Sequence, residues 1–220
     1  MRCLVTAGPT YEPLDKVRRL TNFSSGRLGT ELAKFLTRQG NETTLLLGEQ
    51  ATHWSEPGNV KVERFSTTAD LLARFEKYRT IGARPLAIFH AAAVSDFAFG
   101  RVYAQSESGA LTELKAGKIT TREGRLLAEL LPTPKILGQL RGLFPEEVVV
   151  GWKYEVDGNR ADAVARAETQ IRECRTNACV VNGPAYGMGF GLLLKTGDLQ
   201  HLRGPEDLFE ALGNLLHGTA

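Results

Sequence analysis

The sequence has little net charge, few cysteines and no long hydrophobic run. Among 220 residues, 27 Lys and Arg offset 25 Asp and Glu, which leaves a net charge of +2. We therefore expect neither nucleic acid nor an anionic membrane as a partner. No apolar stretch approaches the roughly 20 residues that a membrane-spanning helix needs, and we expect no leader, because Met1 is followed directly by a predicted strand. These absences predict a cytoplasmic protein.

The three cysteines, Cys3, Cys174 and Cys179, are odd in number and lie in or beside apolar segments. Buried free thiols have this pattern, which indicates a reducing compartment. A chain of this length with 42% hydrophobic residues can bury one substantial core. We predict a single domain, 1–220.

The motifs of two common nucleotide sites are also absent. No GxxxxGK[ST] occurs, and no GxGxxG follows the first predicted strand, which excludes a Walker loop and a dinucleotide fingerprint. A short-chain NAD(P)-dependent reductase needs a tyrosine with a lysine four residues on, and none of the five tyrosines has one. Such a reductase is the first alternative interpretation, and this absence weakens it.

The chain opens with a predicted strand, loop and helix. The apolar segment 3–6 predicts the strand, and a helix is predicted to begin near Ser25 with an apolar face formed by Leu28, Leu32, Phe35 and Leu36. In open α/β folds, ligands bind at the carboxyl end of the first strand, because free N–H groups and the positive helix end converge there. This junction is the first candidate site.

The loop before that helix suits an anion. Ser24 and Ser25 offer hydroxyl donors, Gly26 lets the backbone approach a phosphate, and Gly29 omits a side chain where the helix packs against the strand. Gly8, two residues after the predicted strand 3–6, is also a candidate nucleotide-binding residue. The alternative interpretation is a simple N-cap and tight turn.

Short strands and helices alternate through the rest of the chain. Strands are predicted at 42–47, 60–65, 86–90, 126–131, 147–152, 178–182 and 192–194, and helices at 69–78, from 132–137 onward, at 160–174 and at 205–216. This order predicts an α/β, Rossmann-like fold, with a mostly parallel sheet and helices on both faces. The polar segment 99–125 interrupts it and predicts an excursion of hairpin strands or a flap. The glycine-rich stretch 187–191 is predicted to be a turn.

A second candidate site follows the apolar strand that ends at His90. Small residues, among them Ala91 and Ala92, would let a flat ligand lie against the backbone, and Asp96 could reach a hydroxyl, a cation or a base edge. The alternative is that Asp96 and Ser95 cap a turn. His90 itself is predicted to be a core histidine.

Two lysines, Lys115 and Lys118, lie in the excursion. A lysine on a flap can close over a triphosphate and neutralise charge that develops in the transition state. The alternative is a solvated lysine without a role.

Six blocks occur in an order that resembles the phosphopantothenate–cysteine ligase family: LVTAGPTYEPLDKVRRLTNFSSGRLG, HAAAVSDF, GKI, PTPKIL, VVGWKYEVD and ACVVN. The resemblance covers most of the chain and is closest to the stand-alone ligase, so no flavin is expected. It implies a homodimer formed partly through segment 99–125. It also implies that CTP, with Mg²⁺ on its triphosphate, activates 4′-phosphopantothenate as an acyl-cytidylate, which cysteine then attacks to release CMP.

The resemblance also implies roles for individual residues. Asn22 matches an asparagine that acts on the acyl-nucleotide, and Lys118 a flap lysine associated with forming it, so these two are the expected catalytic residues. Arg18 is the expected partner of the substrate phosphate. The expected nucleotide-binding residues are Gly8, Ser24, Ser25, Gly26, Gly29, Ala91, Ala92, Asp96, Pro134, Lys135, Ile136, Leu137 and Trp152. Asp96 is the one candidate Mg²⁺ ligand.

The helix before ACVVN departs from the family pattern. Many members carry lysines there that face the nucleotide, whereas this chain has Gln170 and Cys174. Arg172 or Arg175 could substitute for them, and CTP and ATP both stay open as the nucleotide. The second alternative function is a nucleotide-binding module without catalysis, which would keep the loops but not Asn22 and Lys118 together.

Overall fold

The computed structural model describes residues 1–53, 55–80, 85, 87–115, 117–120, 124–216 and 218. Its main sheet consists of β1 (Arg2–Ala7), β4 (Glu42–Gly48), β5 (Lys61–Phe65), β6 (Ala87–His90), β10 (Val148–Tyr154), β11 (Ala178–Asn182), β12 (Phe190–Leu194) and β13 (Leu199–Leu202). The spatial order is β13-β12-β11-β10-β6-β1-β4-β5. From β11 to β5 all neighbours are parallel, and β12 and β13 add an antiparallel edge.

Helices cover both faces of this sheet: α1 (Arg27–Arg38) and α5 (Pro205–Leu215) on one, and α2 (Thr68–Thr80), α3 (Ile136–Leu143) and α4 (Arg160–Cys174) on the other. Successive strand residues point to opposite faces, so Val5 packs in the core with Leu32 of α1, whereas Leu4 packs with Phe75 of α2. The predicted fold class is confirmed.

Two smaller sheets extend from the main one. A hairpin of β2 (Tyr11–Pro13) and β3 (Arg19–Thr21) follows β1, and β7 (Phe97–Gln105), β8 (Leu111–Leu114) and β9 (Arg125–Pro132) form an antiparallel sheet in the order β8-β7-β9. The predicted hairpin excursion is therefore present, but its sheet extends beyond 99–125, because β7 and β9 pair from Phe97↔Pro132 to Gln105↔Arg125 with one irregularity between Phe99 and Val102. Positions 116 and 121–123 of the excursion lie outside the described residues.

Several predicted boundaries differ from the structure. Helix α1 begins at Arg27 rather than near Ser25, because Gly26 is its N-cap, with a left-handed φ of 80°. Helix α3 begins at Ile136 with Lys135 as N-cap, near the end of the range 132–137 from which it was predicted. Strand β12 begins inside the predicted turn 187–191. Strands β2, β3 and β13 were not predicted, and position 86 of a predicted strand is outside the described residues.

The cysteines are free thiols, with Cys3 and Cys179 buried and Cys174 half-buried. Burial raises the pKa of Cys3 to about 11 and that of Cys179 to about 12, so both are protonated at neutral pH. The predicted buried thiols are confirmed at these two positions. Among the described helices, none is both long and apolar enough to cross a membrane.

Candidate functional site

A groove lies at the carboxyl ends of the parallel strands. It consists of a cavity of about 590 Å³ beside the start of α1 and one of about 880 Å³ beside α3 and α4, and the two share Ala92, Trp152 and Tyr154. Trp152 pairs with Val180, and both pack on the α1 face of the sheet. The groove therefore crosses the edge of the sheet from one face to the other. We call the cavity beside the start of α1 the first half of the groove and the cavity beside α3 and α4 the second half. The two halves meet at β10.

The first half is built around the start of α1. Its lining includes Ser24, Ser25, Gly26 and Gly29, all predicted, together with Ala91 and Ala92 from the loop after β6. The first backbone hydrogen bond of the helix runs from Thr30 N to Gly26 O, at 3.1 Å. The N–H groups of the first turn come before this bond and therefore have no carbonyl partner within the helix. These groups and the positive end of the helix dipole favour an anion at this end of the groove.

Close packing requires glycine at two predicted positions. A Cβ on Gly29 would lie 2.7 Å from Ala7 Cβ and 2.9 Å from Thr6 O, which confirms that the helix packs tightly on β1 here. Gly8 has a φ of 77°, and a Cβ there would lie 2.8 Å from Ala51 Cβ. Gly8 is outside the described lining of both halves, so it shapes the turn after β1 and does not face the groove.

The loops after β1 and β6 are joined at Ala93. Its carbonyl accepts from Thr10 N at 3.1 Å and from Asn22 Nδ2 at 3.3 Å, and its own N–H donates to Gly8 O at 3.0 Å. Asn22 lines the first half beside the helix start. The structure thus places this predicted catalytic residue at the end of the groove that suits an anion.

His90 is buried beneath the groove and reaches the lining of the second half. Its Nδ1 lies 2.8 Å from Thr6 Oγ1, and Ala92 N donates to the same hydroxyl at 3.1 Å. Burial lowers the pKa of His90 to about 4, so the ring is neutral at pH 7. The prediction of a core histidine is confirmed.

The second half brings together Asp96 and the predicted 134–137 turn. Lys135 Nζ forms an ion pair with Asp96 Oδ1, and both side chains are mostly exposed. The backbone N–H of Ser95 donates to Thr10 Oγ1, at 2.8 Å. Asp96 therefore contacts Lys135 across the mouth of the groove. No cluster of three or more potential metal ligands occurs among the described residues.

Sequence reasoning missed several residues of the lining: Phe23, Tyr154, Arg166 and Asn182. Two signals were available, because Arg166 precedes Gln170 by one helical turn and Asn182 ends a buried apolar strand. Trp152 Nε1 and Asn182 Oδ1 are buried and have no hydrogen-bond partner within the described ranges.

Arg172 and Arg175, which were predicted to substitute for lysines of the ligase family, are not the basic residues that the structure places at the groove. Gln170 and Cys174 do line the second half, as expected for those positions, but Arg172 and Arg175 are outside its described lining. Arg175 is the C-cap of α4, with a left-handed φ of 53°. The basic residue of α4 at the groove is Arg166, which forms an ion pair with Glu155.

Arg18 is also outside the described lining. Its guanidinium binds Asp15 Oδ2 at 2.7 Å and donates to the carbonyl of Ile119, whose N–H donates to the same carboxylate at 3.1 Å. Desolvation raises the pKa of Asp15, but hydrogen bonds from Val17, Ile119 and Arg18 outweigh it, and the pKa lies well below its usual range. Arg18 thus joins the β2–β3 hairpin to the excursion.

Lys118 is the neighbour of Ile119, which is held by its hydrogen bonds with Arg18 and Asp15. Its neighbour Gly117 accepts from Lys16 N at 3.0 Å, and Ile119 is buried. The Lys118 side chain is exposed and is not brought into the described lining of the groove. Lys115 is exposed as well.

Comparison with known proteins agrees with this architecture. The family model described as the DNA/pantothenate metabolism flavoprotein C-terminal domain matches residues 1–197. The chain is 31% identical over 181 residues to the coenzyme A biosynthesis bifunctional protein CoaBC of Thermococcus kodakarensis, which is 82% of this chain and 41% of that protein. The chain thus spans less than half the length of this relative.

Solved structures share the fold. The DNA/pantothenate metabolism flavoprotein of Streptococcus pneumoniae superposes with a TM-score of 0.86 at 24% identity, and the alignment covers 100% of both chains. A Cab2 mutant in complex with phosphopantothenate-cysteine gives a TM-score of 0.70 at 17% identity over 100% of this chain and 89% of that one. On the family match, this chain belongs to the family of the DNA/pantothenate metabolism flavoprotein C-terminal domain.

Proposed function

We propose that this protein ligates 4′-phosphopantothenate to L-cysteine in coenzyme A biosynthesis. CTP activates the acid as an acyl-cytidylate, and the products are the amide, CMP and pyrophosphate. The observation that carries the proposal is the groove, whose two cavities share lining residues, with a helix start that suits an anion in the first half and about 880 Å³ in the second half. Family membership supports it, as does the phosphopantothenate-cysteine found in the related Cab2 structure.

In this proposal the triphosphate binds at the start of α1. Its oxygens accept from the first-turn N–H groups and from Ser24 and Ser25, which explains why no Walker loop is needed. Magnesium arrives as the metal complex of CTP, and the base occupies the second half between Asp96 and the 134–137 turn. Trp152 separates the two regions.

Activation comes first. A carboxylate oxygen of the acid attacks the α-phosphorus of CTP, the bond to the bridging oxygen of the β-phosphate breaks, and pyrophosphate leaves. Negative charge accumulates on the leaving group, and Lys118 is the proposed cation that stabilises it. Because its side chain is solvent-exposed, this role requires the ammonium group to approach the first half.

Ligation follows. The amine of cysteine attacks the acyl carbon, the bond to the CMP oxygen breaks, and the amine proton is lost to solvent. Asn22 lies beside the helix start, and its amide is the proposed donor to the oxyanion that forms during attack. Arg18 is the proposed contact of the substrate phosphate, because 38% of its side chain stays exposed beside Asp15.

We also propose that the protein is a homodimer joined in part through the excursion. Its small sheet exposes large apolar side chains that a single chain leaves uncovered: Phe97, Leu111, Leu130 and Leu131 are 45–53% exposed. Burial of such side chains against a second copy would stabilise the pair.

A thermal-shift screen tests the nucleotide part of this proposal. CTP, ATP, NADP and NADH are each added with Mg²⁺, because a ligand that binds only the folded state raises the apparent stability by mass action. We expect CTP to give the largest shift. A shift with NADP or NADH alone would favour the reductase, and CTP binding without turnover would favour a non-catalytic module.

A further inference from the structure

Gln170 lines the second half of the groove in a fixed position. Its Nε2 donates to Cys179 Sγ at 3.1 Å. The absence of a side chain at Gly151 makes room for it, because a Cβ there would lie 2.6 Å from Gln170 Nε2 and 2.8 Å from Leu137 Cδ2. Gln170 is thus held against the sheet next to the 134–137 turn.

Cys179 determines which way the carboxamide faces. The thiol is fully buried and protonated, and its S–H points to Val180 O at a sulfur–oxygen distance of 3.7 Å. The sulfur lone pairs therefore accept, and the amide nitrogen of Gln170 is the atom that contacts them. Because the two polar atoms of a carboxamide diverge, Oε1 is the acceptor that Gln170 offers to the groove.

We propose that Gln170 selects a nucleobase with an exocyclic amino group, cytosine or adenine, over uracil or guanine. This inference rests on the proposed function. The amino groups at cytosine C4 and adenine C6 can donate to Gln170 Oε1, whereas uracil and guanine present a carbonyl oxygen at the corresponding position. Two facing acceptors repel each other, and both lose a hydrogen bond to water.

CTP and UTP provide a sharp test because they differ only at this edge of the base. We would measure their dissociation constants by calorimetry with Mg²⁺ and the whole chain, without phosphopantothenate, so that no turnover occurs. CTP should bind about tenfold or more tightly than UTP, the ratio expected when a desolvated acceptor is left unpaired. ATP and GTP should differ in the same direction, and the two pairs together show whether cytosine or adenine is preferred.

Substitutions of Gln170 separate the effect of its acceptor atom from the effect of the side chain's shape. Gln170→Met removes both polar atoms and should bring the CTP/UTP ratio to within about twofold of unity, whereas Gln170→Glu keeps an acceptor and should keep the preference. Cys179→Ala removes the contact that orients the amide, so the ratio should fall without a change at the groove surface. Gln200→Met makes the same replacement on exposed strand β13 and should leave the ratio unchanged.

The outcomes separate this inference from the function beneath it. If no nucleoside triphosphate binds the wild-type chain, the proposed function is wrong. If CTP and UTP bind equally, or Gln170→Met retains the wild-type ratio, the role of Gln170 is refuted and the ligase proposal stands. Should Gln170→Met not fold, Cys179→Ala decides, and an unchanged ratio there refutes the proposed orientation of the amide.

Discussion

Acidification should destabilise this protein through His90. The ring is buried and neutral, with a folded-state pKa of about 4 against 6.5 for the exposed group. Between these values the unfolded chain binds a proton that the folded chain excludes. His90 therefore contributes stability above pH 6.5 that is lost as the pH falls toward 4. From pH 7 to pH 5 the loss due to this one group is about 2 kcal/mol.

Urea unfolding at the two pH values measures this loss, with His90→Gln as the comparison. Carboxylates also titrate in this range, so the quantity of interest is the difference between wild type and variant. Wild type should lose about 2 kcal/mol more than His90→Gln, because glutamine cannot be protonated. Equal losses in the two proteins, or an NMR titration midpoint of the His90 ring near 6.5, would refute a buried neutral histidine.

Three further predictions concern the groove and the excursion. Gly29→Ala should lower stability by about 1–3 kcal/mol in urea unfolding and weaken CTP binding, whereas Gly142→Ala, which meets open space, should do neither. In rapid-quench experiments with labelled CTP, Lys118→Gln should slow acyl-cytidylate formation roughly a hundredfold and Asn22→Asp should let the intermediate accumulate; equal intermediate levels would contradict separate roles. Light scattering should give about twice 24.1 kDa, and a monomer unaffected by deletions in segment 99–125 would contradict the proposed dimer.

The first half of the groove was predictable because its determinants are local. The strand, the serine-glycine loop and the helix are consecutive in sequence, and Gly29 packs against β1 as its position suggested. The carboxyl end of β6 was predictable for the same reason, since a buried apolar run followed by alanines marks a strand end. Local patterns thus located the serine-glycine loop and Asp96, whereas Asn22 was assigned from the resemblance to the ligase family.

The rest depends on strand order and on contacts between distant segments. Tyr154 and Asn182 reach the groove because β10 lies beside β6 and β11 beside β10, which no local pattern reveals. The anchoring of Ile119 by Arg18 joins residues about a hundred positions apart. The extent of the excursion was underestimated because β9 resembles a strand of the main sheet, and only its pairing with β7 distinguishes it.

Product analysis tests the central claim most directly. The whole chain is incubated with Mg²⁺, 4′-phosphopantothenate, L-cysteine and each common nucleoside triphosphate in turn, and the products are identified by mass spectrometry. We expect the phosphopantothenoyl-cysteine amide together with equimolar CMP and pyrophosphate, with CTP as the preferred nucleotide. The account is contradicted if no nucleoside triphosphate yields the amide, and most clearly if the protein instead oxidises NADPH with a carbonyl compound.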